Sequence, residues 1–196
     1  PEKTHDLKTF HPTAWIQIGY EILFFWMARM ILMSEYELKQ IPFRQVYIHG
    51  ILRDAQGKKF SKSLRNTVDP LELTKKYGTD ALRLSLLSGT TPGNDSSFNE
   101  EKVEHYQHFV NKLWNISRYV LMNIPEFHIV TREPKTSTLA DEWILQQWSK
   151  TLVYVTDKLE HAEFSQAAAA LYTFTWEDFA DWYIEVAKIE SKTGAA

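Results

Sequence analysis

Apolar and polar positions change their rhythm once along this chain. In the first hundred residues they come in short blocks. Ala14-Trp15-Ile16-Gln17-Ile18 reads as a short strand ended by Gly19, and the apolar run from about 20 to 34 reads as a helix. Residues 44–51, with Val46-Tyr47-Ile48-His49-Gly50-Ile51 at their heart, read as a second strand. Strand, helix and strand in this order predict a parallel crossover of the nucleotide-binding kind. A polar turn follows, Arg53-Asp54-Ala55-Gln56-Gly57. Asp69 is the predicted N-cap of a helix reaching Tyr77, with Pro70 at its first position, Glu72 completing a capping-box-like pattern and Gly78 as its stop. Thr79 to Ser88 reads as a further helix ended by Gly89, and 90–98 as a loop.

From Asn99 the spacing becomes that of long helices. Positions 103, 106, 109, 110, 113, 114, 117, 120 and 121 form one stripe if Ser117 is tolerated in it. Residues 125–137, with two prolines, read as a linker. Leu139 to His161 and Phe164 to Lys188 read as two more helices. Trp114, Trp176, Phe179 and Trp182 are expected in the core of the resulting bundle. The predicted fold is the α/β half of a Rossmann-type nucleotide fold followed by an all-α helical bundle. Its expected divisions are 1–65, 66–98 and 99–196.

Composition narrows the picture. The chain has 196 residues, 44% of them hydrophobic, so a sizeable core is available. The net charge of −3 gives no global field for RNA, and any such contact must be local. Cysteine is absent, which excludes disulfides and cysteine metal sites and fits a cytoplasmic home. The run from Ile22 to Met33 is too short for a membrane and is broken by Arg29. The polar start beginning with proline shows no signal peptide, and both ends read as boundaries of a longer chain.

The candidate chemistry centres on Lys58-Lys59-Phe60-Ser61-Lys62-Ser63. Two lysines three apart, interleaved with hydroxyls on a short loop, suit a polyanion such as a triphosphate. A solvated basic turn is the plainer reading, and the strand before the loop and the capped helix after it weigh against that. Glu21 sits where a strand gives way to a helix, the crevice in which open α/β sheets bind ligands, and its carboxylate could accept both ribose hydroxyls. It could equally be an acid favoured by a helix start. Ile22 and Trp26 share a helix face, ordinarily a core arrangement. His49 and Gly50 close the second strand, the glycine permitting close backbone approach.

Lys59-Phe60-Ser61-Lys62-Ser63, followed by "SLRNTVDPLEL", resembles the KMSKS signature loop of the class I aminoacyl-tRNA synthetases. The helix "GYEILFFWMARM", with "LLSGTTPGNDSSFNEEKVE", "NKLWNISRYVLMN" and "FADWYIEVAK", is similar to the valyl branch of that family, over nearly the whole chain. The resemblance implies ATP, valine and tRNA(Val) as partners, with Mg2+ arriving on ATP and no dedicated metal cage in the protein. It implies a catalytic role for Lys62, with Lys59 in support and Ser61 and Ser63 shaping the loop. Gly19, Glu21, His49, Gly50 and Lys62 would serve ATP, and Ile22 and Trp26 would line the valine pocket. Lys112 and Arg118 would meet tRNA, within a scatter of Lys102, His105, His108 and Arg132. The family's HIGH signature and editing domain would lie outside these residues, so the chain alone is expected to be inactive; a monomer is the expected oligomeric state. Phe60 replaces the usual methionine as an apolar anchor. Arg65 replaces the usual glycine, and Glu21 the usual aspartate. A left-handed backbone at Arg65 would then be strained. Two other readings stay open: a non-catalytic tRNA-binding module, and a piece of the isoleucyl or leucyl branch.

Overall fold

The computed structural model describes residues 3–123 and 136–193. Contacts gather the chain into two units, Pro1–Thr67 with Thr90–Phe98, and Val68–Gly89 with Asn99–Ala196. The stretch 66–98, expected to act as one connection, is thus shared between them.

In the first unit, helix α1 (His5–Phe10) is capped by Thr4, whose hydroxyl accepts the Leu7 N–H at 3.1 Å. Strands β1 (Thr13–Gly19) and β2 (Phe43–His49) run parallel, from Thr13 opposite Phe43 to Gly19 opposite His49. The connection between them differs from the single helix expected. It opens as a 3₁₀ turn (Tyr20–Ile22) and a π-helical stretch (Leu23–Met27) before becoming α2 (Ala28–Leu38), ended by Lys39 at φ 54°. The second strand stops at His49, short of the expected Ile51. The chain then forms β3 (Leu52–Arg53), which pairs parallel with β4 (Ser96–Ser97) inside the expected 90–98 loop. Ile18 and Phe43 are buried, each burial stabilising by roughly 1.5–3 kcal/mol. Buried Ser34 donates its hydroxyl to the Gln40 carbonyl at 2.7 Å, so His11 Nε2, 3.2 Å away, is the donor to Ser34 Oγ.

The second unit holds α3 (Pro70–Tyr77), α4 (Thr79–Leu87), α5 (Glu100–Asn123), α6 (Leu139–Glu160), α7 (Phe164–Thr173) and α8 (Ile184–Thr193). Asp69 caps α3 as predicted, but through the Leu71 N–H at 2.8 Å, with Pro70 at the first position. No capping box with Glu72 accompanies it. A full box forms instead at Thr138 and Asp141, at the start of α6. Gly78 (φ 91°) and Gly89 (φ 71°) end α3 and α4 in the left-handed half of φ, where an L side chain is disfavoured. The helix expected over 164–188 is interrupted by a π-helical stretch, Phe174–Tyr183, and continues to Thr193.

The core of this unit includes Val103, Phe109 and Ile116 from α5 and Ala167 and Ala168 from α7. Ile116, Ala180 and Ile184 form one cluster, with Tyr119, Val120 and Phe179 packed against it. Trp176 and Phe179 are half-buried, but Trp114 and Trp182 are 71% and 67% exposed, contrary to their expected place in the core. Trp114 stands about 140° round the helix from Phe109, whereas Ile116 returns to within about 20° of it. The expected linker 125–137 falls largely outside the described residues, as does Arg132. Among the described residues, no helix is long and apolar enough to cross a membrane.

Candidate functional site

The carboxyl ends of β1 and β2 meet at Gly19 and His49. A Cβ on Gly19 would lie 3.4 Å from His49 Cε1, so glycine there lets the imidazole rest against the strand end. His49 Nδ1 is 2.7 Å from the Gly50 carbonyl, which can only accept, so Nδ1 carries the proton. Gly50 also has a reason of its own. A Cβ there would fall 2.6 Å from the Asp95 amide nitrogen and closer still to the Asn94 carbonyl. The close backbone approach anticipated at Gly50 is therefore made by the chain itself.

Asp95 drew no attention in the sequence, yet it ties this corner together. Its carboxylate accepts the Ile51 N–H at 2.8 Å, Arg53 Nε at 2.5 Å and the Tyr20 hydroxyl at 3.2 Å. These bonds, the Ile51 N–H foremost, hold the Asp95 carboxyl below the usual carboxylate range. Only its separation of 44 residues from Ile51 hid it.

The basic loop leaves β3 through a turn closed by Gly57 at φ 76°. Asp54 Oδ1 accepts the N–H groups of Gln56 at 3.0 Å and Lys58 at 2.8 Å. Asn66 reaches back from the far side, its Nδ2 donating to Asp54 Oδ2 at 2.8 Å and to the Lys59 carbonyl at 3.2 Å. Its Oδ1 accepts the Ser61 N–H at 2.9 Å. Ser61 and Ser63 share a hydroxyl–hydroxyl bond of 2.7 Å, and Phe60 packs edge-on to Phe98 with ring centres 6.1 Å apart. The apolar anchor expected of Phe60 is thus present. Arg65 adopts φ 52°, the left-handed conformation in which a side chain is strained.

Two predicted functional groups pair with one another. Lys59 Nζ donates to Glu21 Oε1 at 2.9 Å and Oε2 at 2.7 Å. Both side chains are about half exposed, so the pair is a surface ion pair contributing about 0–1 kcal/mol. Lys62, at the loop tip, is exposed and makes no ion pair among the described residues. Ile22 and Trp26 are 37% and 61% exposed, so the ordinary core arrangement does not hold for them. No group of three or more His, Asp or Glu among the described residues could hold a metal ion.

In the helical unit the basic residues divide. Lys112 pairs with Asp181, and its ammonium lies 4.0 Å over the Trp176 ring, so its charge is already matched. Lys102 Nζ donates to the carbonyl of Ser88, just past the end of α4, at 2.6 Å; burial pulls its pKa down. His105 stacks on Tyr172 with ring centres 5.6 Å apart. Arg118 and His108 are exposed.

Residues 1–99 match the family model described as "tRNA synthetases class I (I, L, M and V)", and 141–196 match "Anticodon-binding domain of tRNA ligase". Valine–tRNA ligase of Clostridium tetani is 49% identical over 189 residues, 96% of this chain and 22% of that protein. The namesake from Aquifex aeolicus is 47% identical, covering 96% of this chain and 16% of that protein. The one from Dehalococcoides mccartyi strain CBDB1 is 43% identical across 100% of this chain and 22% of its own length. The chain therefore spans about a fifth of the length of these relatives. Among solved structures, Mycobacterium tuberculosis methionyl-tRNA synthetase bound by methionyl-adenylate matches with a TM-score of 0.71 at 26% identity, over 94% of this chain and 36% of that one. A LeuRS–tRNA–LeuAMS ternary complex from Agrobacterium radiobacter K84 shares the fold with a TM-score of 0.69 at 22% identity, over 84% of this chain and 22% of that one.

Proposed function

The chain belongs to the class I tRNA synthetases of the I, L, M and V group, and on that premise we propose that it carries the ATP-handling loop of a valine–tRNA ligase and the beginning of its tRNA-binding bundle. The observation that carries this reading is the geometry at the ends of the parallel strands. Glu21 stands beside a tethered loop that holds Lys59 against it and offers Lys62 unpaired. The specificity for valine rests on the 43–49% identity to valine–tRNA ligases.

In the proposed reaction the valine carboxylate attacks the α-phosphorus of ATP. A carboxylate–phosphorus bond forms, the bond to the bridging oxygen breaks, and pyrophosphate leaves with the electron pair. Negative charge grows on the leaving group, and a positioned ammonium that meets it in the transition state lowers the barrier. Lys62 is that ammonium, with Lys59 in support and Ser61 and Ser63 setting the loop's shape. Glu21 takes the ribose hydroxyls, while Gly19, His49 and Gly50 border the nucleotide. Ile22 and Trp26 form an aliphatic and an indole wall for the isopropyl group. Mg2+ would arrive on the nucleotide's phosphates and share their charge. Aminoacyl transfer to the terminal ribose of tRNA(Val) completes the cycle. Arg118, exposed on α5, is the better placed of the two proposed RNA contacts, because Lys112 is neutralised by Asp181.

The test grafts these residues in place of the matching segment of the Clostridium tetani relative and measures valine-dependent ATP–pyrophosphate exchange. Exchange with valine, lost with Lys62→Ala, is the expected result. A folded graft that exchanges with isoleucine but not valine, or that ignores Lys62→Ala, overturns the reading. By itself the 196-residue chain is expected to form no valyl-tRNA above its own Lys62→Ala variant.

A further inference from the structure

We infer that Asn66 is a positioning residue for the basic loop: its amide fixes the loop's stem so that Lys62 is presented from a set point towards a bound polyphosphate. This inference rests on the proposed role of the loop in holding ATP phosphates.

The orientation of the amide is dictated by its partners. A backbone N–H only donates, so the Ser61 N–H must face Oδ1. An ionised carboxylate only accepts, so Asp54 must face Nδ2. Asn66 Nδ2 bonds both Asp54 and the Lys59 carbonyl, and with Oδ1 taken by Ser61 the side chain has little freedom left. Asp54 in turn holds the Gln56 and Lys58 N–H groups with its other oxygen. One amide thus joins the entry to the loop, its middle and its exit. The Asn66 amide, followed by the Lys58 N–H, keeps the Asp54 carboxyl below its usual range, so this acceptor stays ionised at neutral pH.

Beyond Ser61 the support thins. The tip is shaped by local bonds: Leu64 N–H to Ser61 O at 3.2 Å, Arg65 N–H to Lys62 O at 3.3 Å and the Ser61–Ser63 hydroxyl pair at 2.7 Å. The exposed Lys62 ammonium therefore starts from a backbone that Asn66 pins one residue earlier. Lys59, held on Glu21, marks the near side of the loop. Without the amide, the stem opens and the Lys62 charge is spread over a wider volume, which lowers its occupancy near a phosphate.

The experiment titrates inorganic tripolyphosphate into the 196-residue chain calorimetrically, alongside Lys62→Ala, Asn66→Ala, the double variant, and the swap Asp54→Asn with Asn66→Asp. The swap keeps a donor facing an acceptor across the stem and still accepts the Ser61 N–H, but gives up the bond to the Lys59 carbonyl. Asn66→Ala is expected to weaken binding about tenfold, the loss of hydrogen bonds to a charged partner. In the Lys62→Ala background the same change should do less than about twofold, because positioning has nothing left to position. The swap should bind more tightly than Asn66→Ala. Wild-type binding by Asn66→Ala, or an equal loss with and without Lys62, overturns the inference. Hydrogen exchange of the empty chain adds a ligand-free arm: peptides covering 59–62 should exchange faster in Asn66→Ala while β1 and β2 do not change, and unchanged exchange there also overturns it. If wild type and Lys62→Ala bind tripolyphosphate alike, the phosphate-binding reading itself fails, and that comparison separates the two failures.

Discussion

Gly50→Ala tests the corner that joins the strand end to the basic loop. The added Cβ would sit 2.6 Å from Asp95 N and nearer still to the Asn94 carbonyl, whereas carbon contacts settle near about 3.5 Å. The 93–95 backbone must therefore withdraw by about 1 Å or more. It cannot do so and keep its bonds. The Gly93 N–H to Ile48 carbonyl bond of 2.8 Å, the Ser96 N–H to Ile51 carbonyl bond of 3.1 Å and the Ile51 N–H to Asp95 carboxylate bond of 2.8 Å all cross this gap. The two neutral bonds alone amount to about 1–3 kcal/mol, and the bond to the Asp95 carboxylate is lost with them. Gly57→Ala is the comparison: there φ is 76° but nothing lies within 4 Å of the new carbon, so only backbone strain of about 1 kcal/mol is expected. Hydrogen exchange by mass spectrometry reads both, with α5 peptides as the internal reference. Gly50→Ala should abolish protection in 46–53 and 90–98, and Gly57→Ala should leave it largely intact. Equal, small effects from the two substitutions would refute the steric reasoning.

Three further outcomes follow from the same geometry. The depressed Asp95 pKa means that its contribution is present above the unfolded value of about 3.9 and disappears only as pH falls through its own lower midpoint; a carboxylate NMR titration should place that midpoint below 3.9, and one at or above it contradicts the three-bond arrangement. Burial, then the 2.9 Å bond to Asp141, pushes the Tyr183 pKa up to about 12, so its contribution holds below about pH 10 and is lost as pH rises through about 12. Ultraviolet difference titration should show that Tyr183→Phe removes the latest tyrosine step. Arg65→Gly relieves a left-handed arginine and should order the loop by a net 0.5–1 kcal/mol or so, after glycine's greater unfolded freedom is subtracted; faster exchange in 61–66 would count against it.

The strand–helix–strand unit was readable because its apolar blocks and glycine stops are local signals. The same holds for the Asp69 cap and for the stops at Gly78 and Gly89. The basic loop was readable for its lysines, but its wiring was not. Asp54 and Asn66 lie 12 residues apart, Glu21 and Lys59 lie 38 apart, and no periodicity links either pair. Trp114 and Trp182 misled because aromatic bulk suggests burial, while the helix face that is buried was set by Phe109, Ile116, Ala180 and Ile184. The π-helical stretches were not anticipated, since both runs are rich in apolar residues and read as plain helix. Gly50 was legible as a close-approach residue, though the partner turned out to be the Asn94 and Asp95 backbone.

The first unit is assembled from two separate lengths of chain, with α3 and α4 made between them. This sets an order in time on the ribosome. Arg53 and Ile51 are synthesised 42 and 44 residues before Asp95. At about 5–20 residues per second, they wait roughly 2–9 s for the carboxylate that fixes them. During that interval the lysine-bearing loop exists without its final footing, while α3 and α4, which need only local bonds to cap and stop them, are already taking shape.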